Sequence, residues 1–298
     1  MKKLRALLLS VLILPVVFLG LAIMIFSPLR AFNALVPVDP GIERVVEGAA
    51  YGGDPRHKLD VYRPAGGAGN LPVLVFCYGG AWDSGDRENY DFVGRSFAKL
   101  GYLTVIADYR LVPRTRFPGF IADLAAAIAW ASAHAAEYGG DGSRVFLVGH
   151  SAGAYNVALA ALDPRYLTAQ GLEPSAIAAV ATLAGPFDFL PLDDSSAIAA
   201  FGRWNDLPAT QPVNFVTAQA PPFLLLTGDT DTTVYPRNSQ RLAAELEQAG
   251  VNHRIIEYPG IGHAGIMLAL SRPLRWRAPV LEDIRAFFAS VQASAKRS

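Results

Sequence analysis

The chain holds a single cysteine, Cys77, and few charges, with 17% of its 298 residues Asp, Glu, Lys or Arg. One thiol excludes an intramolecular disulfide, and its place in the apolar run Val73 to Tyr78 predicts a buried, unreactive group. The cysteine and histidine spacing of a zinc site is missing, as is a Walker-type phosphate loop. Acidic and basic residues balance at 26 each, so no net field points to nucleic acid or to an acidic partner. The sequence therefore predicts no metal, no cofactor and no nucleic-acid partner. Apolar residues are abundant, at 52%, enough to bury a large core.

The N-terminus stands apart. Met1-Lys2-Lys3-Leu4-Arg5 is basic, and Ala6 to Phe26 carries no charge. About twenty apolar residues suffice to cross a bilayer, whereas a cleavable signal has a shorter core and a small-x-small exit. Ser27-Pro28-Leu29-Arg30 offers no such exit, so residues 1–30 are expected to form an uncleaved transmembrane anchor rather than a removed signal. The basic end stays cytoplasmic, which places the remainder on the periplasmic or extracellular side; secretion after cleavage is the alternative. Residues 31–43, with Pro37 and Pro40, read as a linker, and 44–298 as the folded domain.

Within that domain two short strand signals, Arg44 to Glu47 and Lys58 to Tyr62, precede a change of rhythm. Apolar runs at Val73 to Tyr78, Leu103 to Ala107, Val145 to Val148, Ala178 to Leu183, Phe223 to Leu226 and Arg254 to Tyr258 then alternate with helical stretches. Such alternation predicts a mostly parallel twisted sheet with helices on both faces. Ligands bind at the carboxyl ends of strands in sheets of this kind.

Gly149-His150-Ser151-Ala152-Gly153 lies between an apolar run and a small-residue helix, the context of a nucleophile elbow. Ser151 is the candidate nucleophile and requires a base with a pKa near neutrality. Of five histidines, His263 lies in a glycine-rich loop just past the last strand, while His150, inside the elbow, is expected to point elsewhere. A carboxylate must hold the histidine's tautomer, and Asp229 and Asp231, both beyond the run Phe223 to Leu226, compete for that role. Tyr78-Gly79-Gly80-Ala81-Trp82 follows a strand, so its glycines can turn backbone amides toward an oxyanion, joined by the amide of Ala152.

Taken together, these residues resemble the α/β-hydrolase superfamily, in its esterase and lipase branch related to hormone-sensitive lipase and feruloyl-esterase-like (BD-FAE-type) enzymes. The resemblance covers roughly residues 44–290 through the motifs above and Asp108-Tyr109-Arg110-Leu111. It implies that Ser151 attacks an ester carbonyl, His263 shuttles the proton and Asp231, in a Gly-x-x-Asp-x-x-Val pattern, orients His263. It further implies Gly79, Gly80 and Ala152 as oxyanion donors, a small-molecule ester as substrate, and a structural ion pair among Asp108-Tyr109-Arg110 and Asp123 that braces the sheet and a neighbouring helix. Tyr78 departs from the branch, which usually has histidine there; Tyr78 and Trp82 are expected to line the substrate pocket. The insertion 185–222, rich in aromatics and prolines, is expected either to cap the site or to pack its rings into the core. A formamide hydrolase like kynurenine formamidase, or a silent anchored binding domain, would be compatible with the same fold.

Overall fold

Leu71–Cys77 (β3), Leu103–Ala107 (β4) and Phe223–Gly228 (β7) consist almost wholly of apolar residues that are buried on both faces. In the computed structural model, which describes residues 28–67 and 69–295, they join Ile42–Ala50 (β1), Lys58–Pro64 (β2), Gly140–His150 (β5), Ile177–Leu183 (β6) and His253–Tyr258 (β8). The result is one eight-stranded sheet in the order β1-β2-β4-β3-β5-β6-β7-β8. β1 and β2 pair antiparallel, β2 meets β4 antiparallel, and every later pairing is parallel. The predicted mixed but mainly parallel sheet is thus present, its antiparallel edge supplied by the two early strands.

Among the described residues the α-helices are, in chain order, Pro28–Leu35 (α1), Asp91–Lys99 (α2), Gly119–His134 (α3), Ala152–Leu162 (α4), Pro164–Thr168 (α5), Ser195–Phe201 (α6), Arg237–Gln248 (α7), His263–Leu268 (α8) and Val280–Ala295 (α9). α3 packs on β3 and β5, and α4 on β5 and β6. The stretch Gly119–Tyr138 alone among the described residues is long and apolar enough to cross a membrane by length and composition. Its burial against the sheet identifies it as a core helix. The parallel order brings the carboxyl ends of β3, β5, β7 and β8 to one edge, where the loops that carry Gly79, Ser151, Asp231 and His263 emerge.

One region differs in detail from the sequence expectation and another lies mostly beyond the described residues. The anchor expected over residues 1–30 lies, up to residue 27, outside the described residues. The stretch read as a linker is docked rather than free. Asn33 of α1 donates to the carbonyl of Glu88 at 2.9 Å and accepts from the amide of Phe92 at 3.2 Å, while Phe32 meets Phe92 edge-on at 5.4 Å. Pro37 and Pro40 flank a buried Asp39, which no composition-based reading distinguishes from a spacer. In 185–222 both expectations meet: Phe187 and Phe201 are buried, with Phe201 edge-on to Trp82 at 4.8 Å, while Phe189, Leu190 and Pro191 wall a cavity.

Candidate active site

β5 ends at His150 and α4 begins at Ala152, so the chain reverses on Ser151 alone, at φ 55° and ψ −124°. A left-handed φ is costly for a residue with a Cβ, and such outliers collect at functional sites. The crowding leaves no room at the flanking positions. A Cβ on Gly153 would lie 2.1 Å from the carbonyl oxygen of Cys77, and one on Gly149 2.4 Å from that of Gly153. The elbow is pinned by the Ser151 amide, which donates to the Leu183 carbonyl at 2.9 Å.

His263 opens α8, just past β8, and its ring bridges two partners. Nε2 lies 2.9 Å from Ser151 Oγ and Nδ1 lies 2.8 Å from Asp231 Oδ2. The other carboxylate oxygen of Asp231 accepts from the amides of Thr233 and Val234, both at 2.9 Å. Burial by itself would raise the Asp231 carboxyl, but the hydrogen bonds from His263 and these two amides outweigh it and hold the group below its ordinary value. Asp229, the competing carboxylate, instead accepts from the Gly260 amide at 2.7 Å and ties the β7 turn to the β8 turn.

Gly79 approaches so closely that a Cβ there would sit 2.8 Å from Ser151 Cβ. Beyond it Gly80, at φ 125°, folds the loop so that its carbonyl accepts from the amides of Asp83 and Ser84. Ala81 and Trp82 follow with φ of 49° and 62°. The amides of Gly79, Gly80, Ala81 and Ala152 have no acceptor among the described residues, which leaves this backbone rich in unsatisfied donors next to Ser151. Ala81, Trp82, Ser151, Ala152, Pro186 and Phe189 contribute to the wall of a cavity of about 610 Å³. Trp82 thus lines it as expected, its indole N–H donating to Asn156 Oδ1 at 3.1 Å.

Tyr78 does not line the cavity. Its hydroxyl donates to Asp108 Oδ1 at 2.5 Å and accepts from Arg56 Nη2 at 2.9 Å, and its ring stacks between Tyr90 and Tyr109. Only the backbone after Tyr78 turns toward Ser151; the ring fills the space beneath the loop, against which Gly85 packs. Departure from the usual histidine is therefore absorbed by the core. Arg110 and Asp123 form the expected structural pair, with Nη2 to Oδ1 at 2.7 Å. Cys77 is buried, its thiol pushed up to about 12 by burial.

His150 has a place that the sequence reading missed. It points back under the site, where its Nε2 lies 3.1 Å from the His263 carbonyl oxygen and its ring centroid 4.9 Å from that of His263. A carbonyl only accepts, so Nε2 carries the proton and the ring holds the His263 backbone. Burial, then the neighbouring His263, push its pKa down to about 3. A depressed base favours the fold above the unfolded pKa and loses that contribution as pH falls. Between pH about 6.5 and 3 the unfolded chain binds a proton that the folded chain refuses, so His150 is expected to cost up to about 1.4 kcal/mol of stability per pH unit of acidification. Urea unfolding at pH 7 and pH 5 checks this. His150→Gln should lose that share of the slope; an unchanged slope would refute it.

Comparison with known proteins agrees with this geometry. The BD-FAE family model matches residues 59–246. Esterase LipC of Mycobacterium tuberculosis is 33% identical over 273 residues, covering 82% of this chain and 64% of that protein. Isoprenylcysteine alpha-carbonyl methylesterase ICME of Arabidopsis thaliana is 26% identical over 254 residues, or 78% of this chain and 59% of that one. The chain spans between half and two thirds of the length of these curated relatives. Esterase B from Lactobacillus rhamnosis has the same fold, with a TM-score of 0.77 over 95% of this chain and 97% of its own at 22% identity. With a sharp strand-to-helix turn on Ser151 between β5 and α4, and a family model matching more than half its length, the chain belongs to the BD-FAE family of the α/β-hydrolase superfamily.

Proposed function

We propose that this protein is a serine hydrolase that cleaves carboxylic esters of small to medium size through an acyl-enzyme on Ser151. The observation that carries the reading is His263 held between Ser151 and Asp231 at 2.9 and 2.8 Å, with Ser151 itself in the wall of a cavity. Ser151 Oγ attacks the ester carbonyl carbon while His263 Nε2 takes its proton, and Asp231 stabilises the imidazolium that results. The negative charge on the former carbonyl oxygen is met by amides drawn from Gly79, Gly80 and Ala152, with Ala81 in the same loop. His263 then gives its proton to the leaving alcohol. Water, deprotonated by the same nitrogen, releases the acid and restores Ser151.

Relatives named as esterases and carboxylic ester hydrolases favour esters over formamides. A cavity of about 610 Å³ is within the range that encloses ligands of modest size. Hydrolysis of p-nitrophenyl acetate, butyrate and octanoate should therefore exceed that of the palmitate by about tenfold or more. A fluorophosphonate should label the wild-type protein and leave Ser151→Ala unlabelled. Equal labelling of both, or none of either, would overturn the mechanism. The apolar N-terminal stretch supports a membrane-anchored form with this domain on the periplasmic or extracellular side.

A further inference from the structure

The most exposed large apolar side chain among the described residues is Trp276, at 82%. It sits in the turn Arg272–Arg277, with the sequence RPLRWR. Arg272 and Arg277 are exposed as well, and neither has a carboxylate partner among the described residues. The third arginine faces inward. Arg275 grips Asp39 through Nη1 and Nη2 at 2.9 and 2.5 Å, and it also donates to Ser96 Oγ at 2.9 Å and to the Leu270 carbonyl at 3.2 Å. Trp276 is therefore presented to solvent from a rigid base.

That base is tied to the N-terminal end of the domain. Asp39 lies four residues past Leu35, which closes α1 and is 77% exposed, second only to Trp276 among the large apolar residues described. Arg30, in the first turn of α1, is also exposed. Just before α1 comes the uncharged apolar stretch Ala6 to Phe26. One ion pair thus joins two segments that carry exposed Leu35 and Trp276 and the cations Arg30, Arg272 and Arg277, at the place where the apolar stretch enters the domain.

We propose that this face lies on the bilayer, with Trp276 and Leu35 at headgroup depth and the three arginines on the phosphates of anionic lipids. The inference rests on the anchor reading of residues 1–30. An indole suits that depth because its body is apolar while its N–H is polar, and guanidinium groups pair bidentately with phosphate. Surface cations are attracted to a leaflet that holds anionic lipid, so three of them would fix the domain's orientation on the membrane rather than leave it swinging from its tether.

The test uses the full chain in vesicles of phosphatidylcholine and phosphatidylglycerol doped with brominated lipid, which quenches tryptophan on contact. Residues 1–27 contain no tryptophan, so emission comes from Trp82, Trp130, Trp204 and Trp276 alone. Wild-type emission should be quenched, Trp276→Phe should lose more than half of that quenching, and Trp204→Phe should keep it. Reversing Arg272 and Arg277 to glutamate should weaken quenching in vesicles with phosphatidylglycerol and leave it unchanged without that lipid. A chain that floats with the vesicles but whose quenching is unaffected by Trp276→Phe overturns the face alone. A chain that does not float overturns the anchor and the face with it.

Discussion

Replacing Ser151 by alanine is expected to lower kcat for short acyl esters by about 10⁴- to 10⁶-fold with little change in KM. In the proposed mechanism the hydroxyl is the atom that attacks, and among the described residues it is the one cavity-wall hydroxyl that meets the His263 ring, whereas those of Thr233 and Tyr235 do not. The elbow itself should survive. Its shape comes from Gly149 and Gly153, which have no room for a Cβ, and from the Ser151 amide bonded to Leu183, and alanine retains both the Cβ and the amide. Equal melting temperatures for the two proteins would separate lost chemistry from lost fold. His263→Ala should cost about as much, and the double variant little more, because the residues act as one unit. Ester turnover by Ser151→Ala within about tenfold of wild type would remove Ser151 from the mechanism.

The sheet and the elbow were legible in the sequence because each depends on local signals. Apolar runs such as Val145 to Val148 mark strands buried on both faces, and β5 extends that run at both ends. Glycines two residues either side of Ser151 mark a crowding that the structure measures as contacts near 2 Å for an added Cβ. Asp231 and Asp229 are harder to tell apart in sequence, since the two lie two residues apart in the same turn. Their difference is where each carboxylate points, one to His263 and the other to the Gly260 amide, and that direction is set by tertiary structure. Tyr78 shows the same limit. Its place in a glycine-rich loop beside Ser151 suggests a pocket residue, but a side chain and its own backbone can serve opposite sides of a sheet edge, and packing against Tyr90, Tyr109 and Arg56 turns the ring away. His150 holds the His263 backbone through a bond that spans 113 positions in sequence, and no spacing announces it. The docking of Asp39 on Arg275, 236 positions away, was hidden for the same reason.

Asp231→Asn is expected to reduce kcat by about 10⁴-fold while leaving the shape of the site intact, and the reason lies in the hydrogen bonds that the carboxylate accepts. Asp231 Oδ1 takes two amide protons, from Thr233 and Val234, and Oδ2 takes one from His263 Nδ1. Asparagine has a single carbonyl oxygen. Two backbone donors are fixed by the turn after β7, so that oxygen must stay with them and the NH₂ must face His263. A donor opposite Nδ1 forces the imidazole to present a lone pair there and to carry its proton on Nε2. That nitrogen, 2.9 Å from Ser151 Oγ, is then unable to accept the serine proton. Asp229→Asn should keep most activity, because its oxygen can still accept from the Gly260 amide. Measuring kcat and KM for p-nitrophenyl butyrate in both variants checks the assignment. Near-normal kcat in Asp231→Asn together with a collapse in Asp229→Asn would reverse the roles of the two carboxylates. The expected order, with Asp231→Asn far the slower, follows from tautomer control at His263 rather than from charge in general, since both substitutions remove one negative charge from the same turn.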